Sequence, residues 1–185
     1  KQHGDGPALL VVPASLLANW RAESARFAPG LRVLIAHPSV LTPADVQRLA
    51  ALAEPAGLSK WDVVVTSYGY LQRQPALQQA AFDLVVLDEA QAIKNPGTRQ
   101  TRAIKALAAR TRLALTGTPV ENRLGDLWSI YDFLAPGLLG SANQFGKLCK
   151  ALADRGDYGP LRRLVAPYLL RRLKTDKRVI ADLPD

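Results

Sequence analysis

Short apolar runs alternate with amphipathic stretches along the first two-thirds of the chain. Residues 8–13, 33–35, 62–66, 83–88 and 113–115 are runs of Ala, Val, Leu and Ile with few polar interruptions. They are too short for helices and rich in β-branched residues, which predicts strands buried on both faces. Between them the apolar positions recur at helical spacing. Ser15 is placed to cap a helix running to Phe27, with Leu16, Leu17, Trp20 and Phe27 on one face and Pro29-Gly30 as its stop. Thr42-Pro43-Ala44-Asp45 opens a second helix, with Val46, Leu49, Ala50 and Ala53 as its stripe. A third is expected near 98–109, turning Ile104, Leu107 and Ala108 inward. Strands alternating with helices predict βαβ units: an α/β fold with a parallel sheet and helices on both faces.

After Pro119 the period becomes helical throughout. Leu124, Leu127, Trp128, Tyr131 and Leu134 form one stripe, and Ser141 caps a helix carrying Phe145, Leu148, Cys149 and Leu152. Gly159-Pro160 opens a short third helix. The expected organisation is therefore a sheet core over 1–119, a helical protrusion over 120–166 and a return segment over 167–185.

Composition narrows the classes. No apolar run approaches the ~20 residues of a bilayer-spanning helix. The single cysteine, Cys149, excludes an internal disulfide and a thiolate metal cluster, and His3 and His37 stand alone. These features fit a reducing, intracellular compartment. The net charge of +8 is uneven: residues 1–90 balance at −1 and residues 91–185 at +9. A basic half suits a polyanion such as DNA, because neutralised phosphates release counterions; an Arg-rich soluble surface is the plainer reading.

In a parallel sheet all strands end on one rim, so the segments that follow the strands gather there: Pro13-Ala14-Ser15, Thr66-Ser67-Tyr68, Asp88-Glu89-Ala90-Gln91 and Thr116-Gly117-Thr118-Pro119. Ligands bind open α/β sheets at this edge. An acid there can hold Mg²⁺ through water, and a neighbouring acid can take a proton from a nucleophilic water. The same two acids also read as a turn or helix-start signal. The hydroxyl-bearing turns offer small donors and helix-start N–H groups to an anion.

The whole set resembles the N-terminal ATPase lobe of Swi/Snf-type DNA translocases, members of helicase superfamily two. The similarity lies in LLVVPASLLANW (9–20), VVVTSYGYL (63–71), LVVLDEAQAIKNP (84–96), RLALTGTPVENRLGDLWSIYDFLAPGLLG (112–140) and YLLRRLKTDKRVIADLPD (168–185). The resemblance implies a RecA-like P-loop NTPase lobe that uses ATP and Mg²⁺ to move on double-stranded DNA. It implies that Asp88 positions Mg²⁺, that Glu89 activates the attacking water, and that Gln91 couples the γ-phosphate to a second lobe. Thr116, Gly117 and Thr118 would link hydrolysis to lobe movement. Ser15 and Asn19, Thr66 and Ser67, and Lys94 and Asn95 would follow the DNA backbone, with Trp20 packing in the core. Arg171 and Arg172 would lead towards the second lobe. Plainer roles stay open for several: Lys94 as a solvated lysine, Thr116 and Thr118 as turn caps, Gly117 for its backbone angles, Arg171 and Arg172 as a surface pair.

One part of that pattern is missing. No G-x-x-x-x-G-K-[ST] phosphate loop occurs in the 185 residues, and Thr116-Gly117-Thr118-Pro119 lacks the Lys. The chain is therefore expected to be a fragment that alone neither binds ATP tightly nor hydrolyses it. An exposed edge by the strand at 113–115 would favour self-association. The alternatives are a strand-separating helicase and a non-catalytic DNA-binding module; the TGTP turn and helical block favour translocation. DEAQ and the Ala/Leu/Arg-rich composition point to a bacterial member of the family, and a cytoplasmic, nucleoid-associated protein with no membrane partner is expected.

Overall fold

The computed structural model describes residues 6–41, 57, 60–117 and 124–170. The expected helix after Thr42, the turn residue Thr118, and Arg171 and Arg172 lie outside the described residues. Five strands, β1 (Ala8–Val12), β2 (Val33–Ala36), β3 (Val63–Ser67), β4 (Ala81–Leu87) and β5 (Ala108–Ala114), form one parallel sheet in the order β2-β3-β1-β4-β5. The register sets Val12 beside Ser67 and Val11 beside Leu87, so the ends of β1, β3 and β4 meet on one rim.

Side chains alternate across the sheet, as strand geometry requires. Leu9, Val11, Val64, Val85 and Leu87 belong to a large core on one face. Leu10, Val12, Ile35 and Val65 belong to a smaller one on the other. The helices are α1 (Leu17–Phe27), α2 (Tyr68–Leu71), α3 (Pro75–Gln79), α4 (Arg99–Lys105), α5 (Leu124–Leu134), α6 (Ala142–Arg155) and α7 (Gly159–Val165). Residues of α2, α3, α4 and α5 build the large core, whereas α1 supplies Leu17 and the flank of Trp20 to the small one.

The chain divides into two compact units, 1–145 and 146–185. Helix α5 sits with the sheet, since Ile130 and Phe133 are buried in the large core; the sequence pattern instead started a protrusion at 120. Arg112 of β5 helps hold α5. Its guanidinium lies 5.1 Å from the Phe133 ring and donates to the carbonyls of Phe133 and Leu107, both at 2.8 Å. A cation over the last carbonyls of a helix also complements its dipole. Ser141 does cap α6, through a reciprocal pair: the Gln144 N–H donates to Ser141 Oγ and the Ser141 N–H to Gln144 Oε1. In the second unit, Leu152, Leu161 and Val165 are buried.

Three expectations change. The fifth strand starts at Ala108, not at 113, so Leu107 and Ala108 are not helical. Ser15 does not cap α1: a 3-10 turn over Ala14–Leu16 intervenes and no side chain caps either element. Phe27 is exposed, with the Arg26 guanidinium 4.8 Å from its ring centroid.

Candidate active site

The acidic turn is fixed first through its backbone. The N–H of Asp88 donates to the Val11 carbonyl of β1 and that of Ala90 to the Leu115 carbonyl, each at 2.9 Å. These bonds extend the sheet one step past β4 on both sides. Between them Glu89 adopts φ +52°, the only positive φ at a non-glycine among the described residues. A left-handed Glu costs on the order of 1–3 kcal/mol and persists where its surroundings over-determine it, as at catalytic turns. The chain then enters a 3-10 turn over Ala90–Ile93. The buried Ser129 of α5 donates to the Ile93 carbonyl.

The side chains form two linked sets. Thr116 Oγ1 donates to Gln91 Oε1 at 2.7 Å, and Gln91 Nε2 donates to Glu89 Oε2 at 2.7 Å. Beside them, Asp88 Oδ1 accepts from the Glu89 N–H at 3.0 Å and Oδ2 from the Trp20 indole at 2.8 Å. Tyr68, at the start of α2, donates its hydroxyl to the Asp88 carbonyl at 2.8 Å. Burial, reinforced by Asp88 and Glu89, pushes the Tyr68 phenol well above its ordinary value, so it remains a donor across the physiological range.

Asp88, Glu89, Gln91 and Thr116 are thus brought together, with Gly117 exposed beside them. Among the described residues no cluster of three or more His, Cys, Asp or Glu could hold a metal unaided. A pair of adjacent carboxylates nonetheless fits Mg²⁺, which keeps several waters and is held by one or two acids plus substrate phosphates.

The expected DNA contacts divide into two kinds. Ser15 and Asn19 are exposed at the start of α1, and Asn95 is exposed in the loop after the 3-10 turn. Asn95 shapes that loop, its Oδ1 accepting from the Gly97 N–H at 3.0 Å. Lys94 precedes it, partly exposed. Thr66 and Ser67 differ. Both are buried; Thr66 donates to the Ala36 carbonyl at 2.8 Å and Ser67 accepts from the Tyr70 N–H at 3.2 Å. Their hydroxyls brace the strand end and cap α2, so in this arrangement neither is turned to a phosphate.

Two residues the sequence reading placed without a role at the acidic turn both bond to Asp88. Tyr68 was already expected on the rim in Thr66-Ser67-Tyr68, but its bond to the Asp88 carbonyl was not. Trp20 was expected in the core; its ring does flank the small core, but its N–H reaches Asp88. Arg73, Arg99 and Arg102, with Gln72 and Gln78, line a separate cleft of about 350 Å³ among α2, α3 and α4.

The comparisons with known proteins agree with this geometry. The family described as the SNF2-related domain matches residues 1–185. The putative ATP-dependent helicase/translocase YwqA of Bacillus subtilis is 41% identical over 184 residues, covering 97% of this chain and 19% of that protein. The ISWI chromatin-remodeling complex ATPase ISW2 of Saccharomyces cerevisiae is 34% identical, covering 93% of the chain and 15% of its own length. The Sulfolobus solfataricus SWI2/SNF2 ATPase core in complex with dsDNA superposes with a TM-score of 0.80 at 39% identity, covering 97% of this chain and 36% of that one. The chain spans less than a fifth of the length of the curated relatives. With the parallel sheet, the acidic turn at its rim and a family match over all 185 residues in agreement, this chain belongs to the SNF2-related domain family.

Proposed function

We propose that this chain carries the water-activating part of a DNA-stimulated ATPase that moves along double-stranded DNA. The observation that carries the reading is the closed Thr116–Gln91–Glu89 chain beside Asp88, on the rim of a parallel sheet. Asp88 would hold Mg²⁺ through water, and Mg²⁺ when bound would neutralise phosphate charge. Glu89 takes the proton of the attacking water. Its left-handed backbone and the Gln91 amide hold its carboxylate in one place, so little reorganisation is needed at reaction. Gln91 touches both the base and Thr116, which suits a relay between hydrolysis and movement of a second lobe; Thr118 with Arg171 and Arg172 would complete that path. Ser15, Asn19, Lys94 and Asn95 are the groups proposed to meet DNA phosphates.

The 185 residues hold no phosphate-binding loop, so we assign the chain no hydrolysis by itself. The longer polypeptide would supply that loop and the second lobe. The exposed edge at β5 would favour self-association of the isolated chain, detectable as a concentration-dependent mass in light scattering; a monomer throughout removes that part.

The principal test uses the full-length polypeptide. Glu89→Gln should abolish DNA-stimulated phosphate release while leaving ATP binding measurable; hydrolysis at the wild-type rate would overturn the assignment of the base. DNA affinity should fall steeply with salt, whatever the base sequence. A strand-displacement assay separates translocation from strand separation, and a full-length protein that binds DNA without hydrolysing ATP would be a binding module.

A further inference from the structure

Helix α1 rests against β2 and β3, yet its Trp20 bonds to Asp88 at the end of β4. The strand order is β2-β3-β1-β4, so this side chain crosses over β1 to reach the acidic turn. The two residues lie 68 positions apart in sequence. We infer that Trp20 is a positioning residue: its indole N–H fixes Oδ2 of Asp88, and so ties the start of α1, where Ser15 and Asn19 are exposed, to the carboxylate that would hold Mg²⁺. This rests on the reading of Asp88 given under the proposed function.

Three observations support it. An indole nitrogen can only donate, and a 2.8 Å contact to an aspartate oxygen is a charge-assisted bond of full strength. The ring cannot swing away freely, because it packs against the core of Leu10, Val12, Leu17, Ile35 and Val65. The second Asp88 oxygen is already taken by the Glu89 N–H. Each oxygen thus has one protein donor and keeps one acceptor site. The two bonds together hold the carboxylate in one orientation, and loss of the indole bond leaves it tethered by the Glu89 N–H alone. Core packing alone would be served as well by a ring without an N–H.

The test has two arms. In the metal-free 185-residue chain labelled with ¹⁵N at the indole nitrogens, Asp88→Asn should move the Trp20 N–H resonance upfield. The resonances of Trp61 and Trp128 serve as internal references and should stay in place. In the full-length polypeptide, Trp20→Phe should raise the Mg²⁺ concentration for half-maximal DNA-stimulated ATP hydrolysis about 10-fold, as loss of a partner behind a metal-holding group does. Excess Mg²⁺ should restore the rate, which a merely destabilised core would not allow. Should Trp20→Phe disturb folding, 3-benzothienylalanine at position 20 keeps the bicyclic shape without the N–H and should show the same Mg²⁺ dependence. A Trp20 resonance indifferent to Asp88→Asn overturns the inference. So does an unchanged Mg²⁺ dependence in a folded variant whose parent hydrolyses ATP. If the wild-type polypeptide hydrolyses no ATP while the indole still responds, the hydrolysis reading fails and the assignment falls with it.

Discussion

Among the described residues, the two faces of the sheet are covered to different degrees. On one, α2 to α5 close over a continuous core in which Leu77, Ile93, Ile104 and Phe133 have no measurable exposure. On the other, among the described residues, α1 packs over a smaller cluster built by β1, β2 and β3, with Val86 of β4 at its margin. There Leu113 of β5 and Leu115 just past its end are nearly half exposed, with Leu113 beside Val86 in register. The acidic turn sits where the faces meet. Its 3-10 turn is anchored by Ser129 and Ile93 on the closed face, and its Asp88 is held by Trp20 from the open one. Among the described residues, the closed face thus braces the turn through α5, and α1 on the other face reaches the carboxylate through Trp20.

Substitutions can break or sharpen that contrast. Phe133→Ala should cost about 3–5 kcal/mol in urea unfolding, since a fully buried ring leaves a cavity among four helices and the sheet. Leu17→Ala should cost about 2 kcal/mol, at the low end for a buried leucine, because α1 can settle on an incompletely covered face. Equal losses at the two sites would remove the distinction. Leu113→Ser should change stability by no more than about 0.5 kcal/mol and lessen self-association, as its side chain is already largely in water. A loss as large as that at Leu17 would show this part of the open face to be covered.

The smallest effect concerns His37, beyond the end of β2 and tilted against Tyr70 of the closed face. Burial, then Arg73, hold its imidazole below the ordinary value of 6.5. A base whose pKa is lowered on folding binds its proton more readily when unfolded. Its contribution is therefore complete above pH 6.5 and is lost as the pH falls through that value towards the folded pKa. Thermal melts from pH 7.5 to 5.5 should show His37→Gln losing slightly less stability than wild type; parallel curves would exclude His37.

Legibility in the sequence followed the range of the interactions. Strands β1 to β4 announced themselves because apolar runs buried on both faces leave few other readings. Strand β5 was shortened because Ala-Ala-Arg-Thr-Arg has no apolar run and its alanines favour helix; pairing with β4 at the sheet edge overrides that preference. The short helices α2 and α3 gave too few residues to establish a period. Asp88, Glu89, Gln91 and Thr116 were legible because each stands at a strand end. The bonds of Trp20 and Tyr68 to Asp88 span 68 and 20 positions, and no local pattern encodes them. Thr66 and Ser67 were expected at the DNA backbone because the resemblance implied it, whereas their hydroxyls are engaged by the Ala36 carbonyl and the Tyr70 N–H, which the sequence does not signal.

The Gln91 amide has two dissimilar ends, and the chain it sits in is therefore directional. As it stands, Thr116 gives a hydrogen to the amide oxygen and the amide nitrogen gives one to Glu89. An ionised Glu89 can only accept, so it enforces this polarity. A protonated Glu89 could donate, and the same three residues could then close with the amide turned over and Thr116 accepting. The orientation of the Gln91 amide would then report at Thr116 whether Glu89 carries a proton.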